Sequence, residues 1–265
     1  MKNTIFSIAA VLTMSTAAAA ESTVTGPVLG GSVNVEVTEN VAGDYVATTT
    51  LGVSIEAEGL AFGSATVESV DGATFEIDEW KIGTHVGAAT LSFGKQGDLM
   101  VENDFEIVGG DTLADVADDH ESLQVSVGAA SVMLGFTDIT TDVTEIENIQ
   151  GSYSLAMGQV GVTAVGDYNL NSADWTVGVK ANMKMGEVNV GGLVTYGSAN
   201  KVFAYEASAG YGIATAFVNG DQDDAFQNVG LGVNTDVGGL NVYAEGAYNI
   251  DAGDTTIGMG VTFNF

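Results

Sequence analysis

Residues 255–265 read Thr255-Thr256-Ile257-Gly258-Met259-Gly260-Val261-Thr262-Phe263-Asn264-Phe265. Successive side chains of an extended chain point to opposite faces, so Ile257, Met259, Val261, Phe263 and Phe265 share one face. Small or polar residues occupy the other. A strand with one apolar and one polar face suits a wall standing between lipid and water.

The composition sharpens that choice. The chain has 265 residues, 35 of them acidic, six lysines and a formal net charge of −29. A chain so charged is usually polar or disordered. This one is 46% hydrophobic, with a mean hydropathy of +0.25. The two facts coexist if apolar residues face one solvent and carboxylates another. The charge excludes nucleic acid as a partner, because no basic surface exists to neutralise phosphate. Zero cysteines rule out disulfides and thiolate chemistry; one proline and 36 glycines suit many strands joined by tight turns.

The first twenty residues read as a secretory leader. Lys2 supplies the positive start, Ile5 to Met14 a short apolar core, and Ala18-Ala19-Ala20 a small-residue cleavage site. The expected domain is therefore residues 21–265. No later segment approaches the ~18–20 apolar residues of a membrane helix, so a membrane crossing would have to be a closed barrel.

Period-2 patterning predicts sixteen strands: 31–39, 44–57, 60–69, 73–84, 88–95, 121–128, 130–137, 147–157, 159–167, 173–184, 187–197, 201–209, 212–219, 226–235, 239–248 and 254–265. Segments 60–69 and 212–219 are weakly patterned, which leaves fourteen or twelve strands open. Every second connection is a short glycine-centred turn, around Gly59, Gly87, Gly128, Gly158, Gly186, Gly212 and Gly238-Gly239. The intervening connections are mostly longer and polar. Short turns on one side and long loops on the other give the polarity of a transmembrane antiparallel β-barrel, with both termini on the short-turn side. Aromatic residues such as Tyr45, Trp80, Tyr153, Tyr168, Trp175, Tyr196, Tyr243 and Tyr248 fall mostly near strand ends, where interfacial girdles belong. Glu36, Glu56, Glu76, Asp78, Lys180 and Lys184 fall on polar strand faces and are expected to line the lumen.

One connection stands apart: about 25 residues from Gln96 to His120, after the strand Leu91-Ser92-Phe93-Gly94-Lys95-Gln96. Loops of that length are usually functional. It contains Phe105-Glu106-Ile107-Val108-Gly109-Gly110-Asp111-Thr112. Here the chain resembles the general diffusion porins of gram-negative outer membranes. In that family the fifth strand ends in a Gly-Arg-x signature, and a Pro-Glu-Phe-Gly-Gly-Asp core marks a third loop folded into the barrel. Gly94-Lys95-Gln96 is similar to the first, and Gly109-Gly110-Asp111-Thr112 to the second. The aromatic ending at Phe265 likewise resembles the assembly signal of outer-membrane barrels. The resemblance implies a water-filled pore, commonly a homotrimer, in which loop carboxylates face basic side chains. Asp111 carries over directly, Glu106 with one residue inserted, and Lys95 in place of the arginine. No proline precedes Glu106, and the basic cluster is reduced to scattered lysines.

The loop also carries Glu102, Asp104 and Asp115, and with Glu106 and Asp111 these form the expected cation-favouring constriction. Lys95 joins Glu36, Glu76, Asp78, Lys180 and Lys184 as expected pore lining. Asp221, Asp223 and Asp224 are weak candidates for Ca²⁺, lacking the EF-hand spacing. No Gly-x-Ser-x-Gly or His-Glu-x-x-His occurs, and His85 and His120 are the only histidines, so no catalytic site and no cofactor is expected. The resulting expectation is an outer-membrane porin passing small hydrophilic solutes and cations by passive diffusion. Its rivals are a non-conducting structural or adhesive barrel and a soluble exported Ca²⁺-binding β-protein.

Overall fold

The computed structural model describes residues 28–39, 45–57, 61–70, 74–97, 99, 120–136, 146–223 and 226–265. The expected leader and the turn around Gly59 lie outside them. The first eight strands are β1 (Val28–Glu39), β2 (Tyr45–Ala57), β3 (Ala61–Val70), β4 (Glu76–Val86), β5 (Ala89–Gln96), β6 (His120–Val127), β7 (Ala130–Phe136) and β8 (Ile146–Met157). The second eight are β9 (Val160–Asn169), β10 (Trp175–Met185), β11 (Val188–Gly197), β12 (Phe203–Tyr211), β13 (Ala214–Asp221), β14 (Asn228–Val237), β15 (Leu240–Asn249) and β16 (Asp254–Asn264). Each pairs antiparallel with its sequence neighbours, and β1 pairs with β16, closing the barrel. Closure leaves no unpaired sheet edge, the condition for a sheet to stand in hydrocarbon.

The hairpins explain why the order is so simple. Six connections have two residues and open on a glycine with positive φ, Gly212 at +59° being typical. A positive φ at the first turn position followed by an ordinary second residue matches the strand twist, the pattern of a type II′ turn. Gly238-Gly239, positive at both positions, fits type I′.

Both weakly patterned segments are strands, for a readable reason. On β3 the outward positions are Gly63, Ala65, Val67 and Ser69, too small to mark a face. On β13 the large ring points inward: Phe217 is 6% exposed and lies over Gly230. The barrel is otherwise apolar outside and polar within. Ile82, Val179 and Leu231 face outward at 59%, 51% and 69% exposure. An exposed apolar band of this extent on a water-soluble protein would be an association surface; against acyl chains it costs nothing. At the loop end of the outer face, Trp175, Tyr196 and Phe203 form a contiguous run with centroids 5.5 and 4.5 Å apart. Phe263 and Phe265 stack 6.2 Å apart at the opposite end. Aromatic groups at both ends of an apolar band suit the two interfaces of a membrane.

Candidate functional site: the inner wall

Cross-strand register carries the inner face around the barrel, since directly opposed residues share a face. From Glu36 on β1 it passes to Thr48 and Thr50 on β2, then to Glu68 on β3, which stands opposite Glu76 on β4. The pairing then slips: Thr66 opposes Glu79 while Val67 opposes Ile77, leaving Asp78 as the extra residue of a β-bulge. The bulge reverses the parity of β4. Glu79 and Lys81 join Glu76 on the inner face, opposite Thr66 and Ser64, and Trp80 and Ile82 turn outward. Strict alternation grouped Asp78 with Glu76 and missed Glu79 and Lys81. Three apolar residues changing parity within one strand (Ile77, then Trp80 and Ile82) were the available signal.

Lys95 is a correction. It lies on the outer face with Leu91 and Phe93, opposite Trp80 on one side and Glu121 on the other. Parity runs unbroken through β5, so Ser92, Gly94 and Gln96 face inward and Lys95 cannot. Trp80 and Phe93 meet edge-on at 5.8 Å beside it, an interfacial setting in which a lysine stem can lie on apolar surface with its charge in water. The wall's inward lysines are Lys81, Lys180 and Lys184, the last two opposite Thr163 and Asn189.

Further inward carboxylates, not singled out in the sequence, are Asp167, opposite Gln150, Glu206, opposite Leu193 and Asn219, and Glu245, opposite Gly258. Asp98, Glu102, Asp104, Glu106, Asp111 and Asp115 lie outside the described residues. The loop's root is described. Ser92 Oγ donates to Gln96 Oε1 at 2.7 Å, and Gln96 Nε2 donates to Ser122 O and Oγ at 3.3 and 3.2 Å. Leu99 is buried, and its backbone N–H donates to Gln150 Oε1 at 2.7 Å.

Where β1 meets β16, Tyr243 of β15 points inward rather than into a girdle. Its ring lies flat over Gly260 of β16, where any Cβ would collide with it. The hydroxyl thereby reaches β1, donating to Glu36 Oε2 at 2.8 Å and receiving Asn34 Nδ2 at 3.5 Å. Thr262 Oγ1 donates to Asn34 Oδ1 at 3.0 Å, and Thr38 Oγ1 to Glu36 Oε1 at 3.0 Å. This network ties the first and last strands together from the inside. Tyr243→Phe is expected to cost about 1.5–3 kcal/mol, the range for a hydrogen bond to a charged group. The check is a lower urea midpoint for the folded barrel in vesicles.

Exposure divides the wall by height. On the loop-side half, inward Gln150, Leu193, Glu206 and Asn219 are at most 2% exposed. On the short-turn half, Asn182, Lys184, Asn189 and Thr215 are exposed and help line a cavity of about 410 Å³. Of the three residues expected as weak Ca²⁺ candidates, Asp221 and Asp223 are described. Asp221 Oδ1 accepts the Asp223 N–H and Oδ2 accepts Gln227 Nε2, both at 2.8 Å, while Asp224 lies outside the described residues. No cluster of three metal-ligating side chains forms among the described residues.

This architecture, a closed sixteen-stranded antiparallel barrel with an apolar exterior, is the porin fold. The structure matches OmpTΔL8, a loop-deletion mutant of an outer membrane protein of Vibrio cholerae, with TM-score 0.63 and 14% identity over 90% of this chain and 99% of that one. It matches a mutant of Rh. blastica porin with TM-score 0.65 and 16% identity, covering 90% of this chain and all of that one. Salmonella typhi OmpF, in complex with daunomycin, matches with TM-score 0.61 and 10% identity over 91% and 98%. No protein-family model and no curated protein matches the sequence.

Proposed function

We propose that this chain is an outer-membrane porin through which small hydrophilic solutes and ions diffuse passively, with a preference for cations. The carrying observation is the inversion of the barrel: an apolar band outside, and inside a wall made largely of Ser, Thr, Asn, Gln and charged residues, exposed on its short-turn half. The likeness to porin structures over nine-tenths of the chain supports the same reading. The resemblance that implies a pore also implies a homotrimer, which cross-linking in native membranes would test.

Cation preference is supported by the sign of the described inner wall: Glu36, Glu68, Glu76, Glu79, Asp167, Glu206 and Glu245 outweigh Lys81, Lys180 and Lys184. Low-dielectric walls of one sign focus the field along the lumen. The carboxylates of the segment after β5, Glu102, Asp104, Glu106, Asp111 and Asp115, would add to it as the constriction. The inward hydrogen bond of Leu99 and the burial of the loop-side wall support that segment's lying in the lumen.

The same burial favours a second reading, a barrel occluded across its loop-side half. A planar-bilayer recording under a KCl gradient separates the two. Stepwise conductance with a cation-selective reversal potential is the expected result, and folded, inserted protein without conductance would establish the occluded barrel. Replacing Glu102, Asp104, Glu106 and Asp111 by their amides is expected to weaken the selectivity. Unchanged conductance and selectivity would remove the loop from the constriction.

A further inference from the structure

We infer that the cavity at the short-turn mouth of the barrel is a binding site for a hydroxylated monocarboxylate, with Lys184 holding the carboxylate. The inference rests on the porin reading and names a class of solute that the lumen retains on its way through.

Two adjoining rows of the inner wall make the cavity. In one, Gly161, Asn182, Gly191 and Ser208 stand side by side across β9 to β12. In the next row toward the turns, Lys184, Asn189, Gly210 and Thr215 do the same across β10 to β13. Glycines interrupt both rows, and each leaves a hollow one side chain deep. The neighbours lean into that space: a Cβ on Gly161 would meet Asn182 Oδ1, and one on Gly210 would stand 3.2 Å from Thr215 Oγ1. Gln159, in the turn before β9, completes the lining, and its carbonyl accepts the Lys184 N–H at 3.4 Å. One row further from the turns the wall closes, with Leu193 and Glu206 each 2% exposed. What remains is a cup of about 410 Å³. Small-molecule sites occupy roughly 300–1,000 Å³.

The lining selects the ligand. The amides of Gln159, Asn182 and Asn189 and the hydroxyls of Ser208 and Thr215 both donate and accept, as solute hydroxyls require. No aromatic ring lines the cup, so a flat apolar solute finds nothing to stack on. Lys184 is the charged residue of the lining, exposed and free to meet a compact anion. The acids nearby do not line it. Glu206 is buried one row up, Glu187 sits in the β10–β11 turn, and Asp236 accepts Asn241 Nδ2 at 3.1 Å. Charges more than about 8 Å away are screened at physiological ionic strength, so the acidity of the whole chain leaves this local sign standing. A carboxylate matches one ammonium. A phosphate dianion does not, and the chain has no arginine to offer it a bidentate fork.

The test uses D-gluconate as probe, titrated against the folded barrel in detergent micelles by ligand-observed NMR, which needs no conduction. Sorbitol, without the carboxylate, and acetate, without the hydroxyls, are the comparisons. Gluconate is expected to bind about tenfold more tightly than either, since the charge-assisted bond and the hydroxyl contacts are each lost in one of them. Lys184→Gln should weaken gluconate about tenfold and leave sorbitol unchanged. Gly191→Val, which fills the cup, should abolish binding of both. Lys201→Gln makes the same charge change at an exposed position in the β11–β12 loop and should leave all affinities at wild-type values. Heat-modifiable gel mobility checks that each variant is folded, and the wild-type and lysine comparisons decide the matter even if Gly191→Val does not fold.

Equal wild-type affinity for the three probes, or equal losses from Lys184→Gln and Lys201→Gln, would overturn the inference. A conducting barrel that binds no gluconate would remove the site and keep the porin reading. A barrel that binds gluconate through Lys184 but conducts nothing would keep the site and remove the porin reading.

Discussion

Val179→Arg is expected to destabilise the inserted barrel by about 2–4 kcal/mol, the cost of an arginine on the lipid face near the bilayer midplane. Val179 is half exposed at the middle of β10, on the outward face, and the next residue, Lys180, already carries a charge inward. Two adjacent positions thus meet opposite solvents. The control is Lys184→Ala, an inward, exposed position where loss of the charge should change stability by no more than about 0.5 kcal/mol. Urea unfolding in lipid vesicles measures both. Equal effects at the two positions would mean that the outer face does not contact hydrocarbon, and the membrane assignment would fall with it.

The second large effect is on selectivity. Glu68 and Glu76 stand directly opposite one another on the inner wall, with Glu79 beyond the bulge. Like charges directly opposed across a ladder destabilise a sheet, so this placement is not explained by stability. Glu68→Gln with Glu76→Gln and Glu79→Gln should leave the barrel at least as stable as the wild type. It should also move the reversal potential toward zero. Each kT of local potential removed lowers the cation-to-anion permeability ratio by about sevenfold, since cations lose and anions gain a factor of e. A stable triple variant with unchanged reversal potential would place selectivity elsewhere, in the segment after β5. Resemblance alone predicted the reverse arrangement, basic side chains facing an acidic loop. The described wall from β1 to β4 carries one inward lysine, Lys81, among its acids.

Much of this was legible because a barrel wall has a strict two-residue period and few long-range decisions. Alternation at 173–184 and 254–265, with glycine at the short turns, identified strands, their order and the side on which the termini lie. Antiparallel neighbours joined by two-residue turns leave no other topology to choose. The parity of weak segments was not legible. At β3 small residues erase the contrast between faces, and at β13 Phe217 inverts it.

The sequence by itself determined the class of the fold, because each local preference repeats every two residues and each hairpin settles its own register. Only the tertiary structure decided what faces the lumen. The bulge at Asp78 turns Glu79 and Lys81 inward by inserting one residue, and unbroken parity through β5 turns Lys95 out. Tyr243 meets Glu36 across more than two hundred residues of chain, and Leu99 meets Gln150 across three strands. The first of those contacts exists only once the sheet has closed on itself, since closure brings the first strand beside the last.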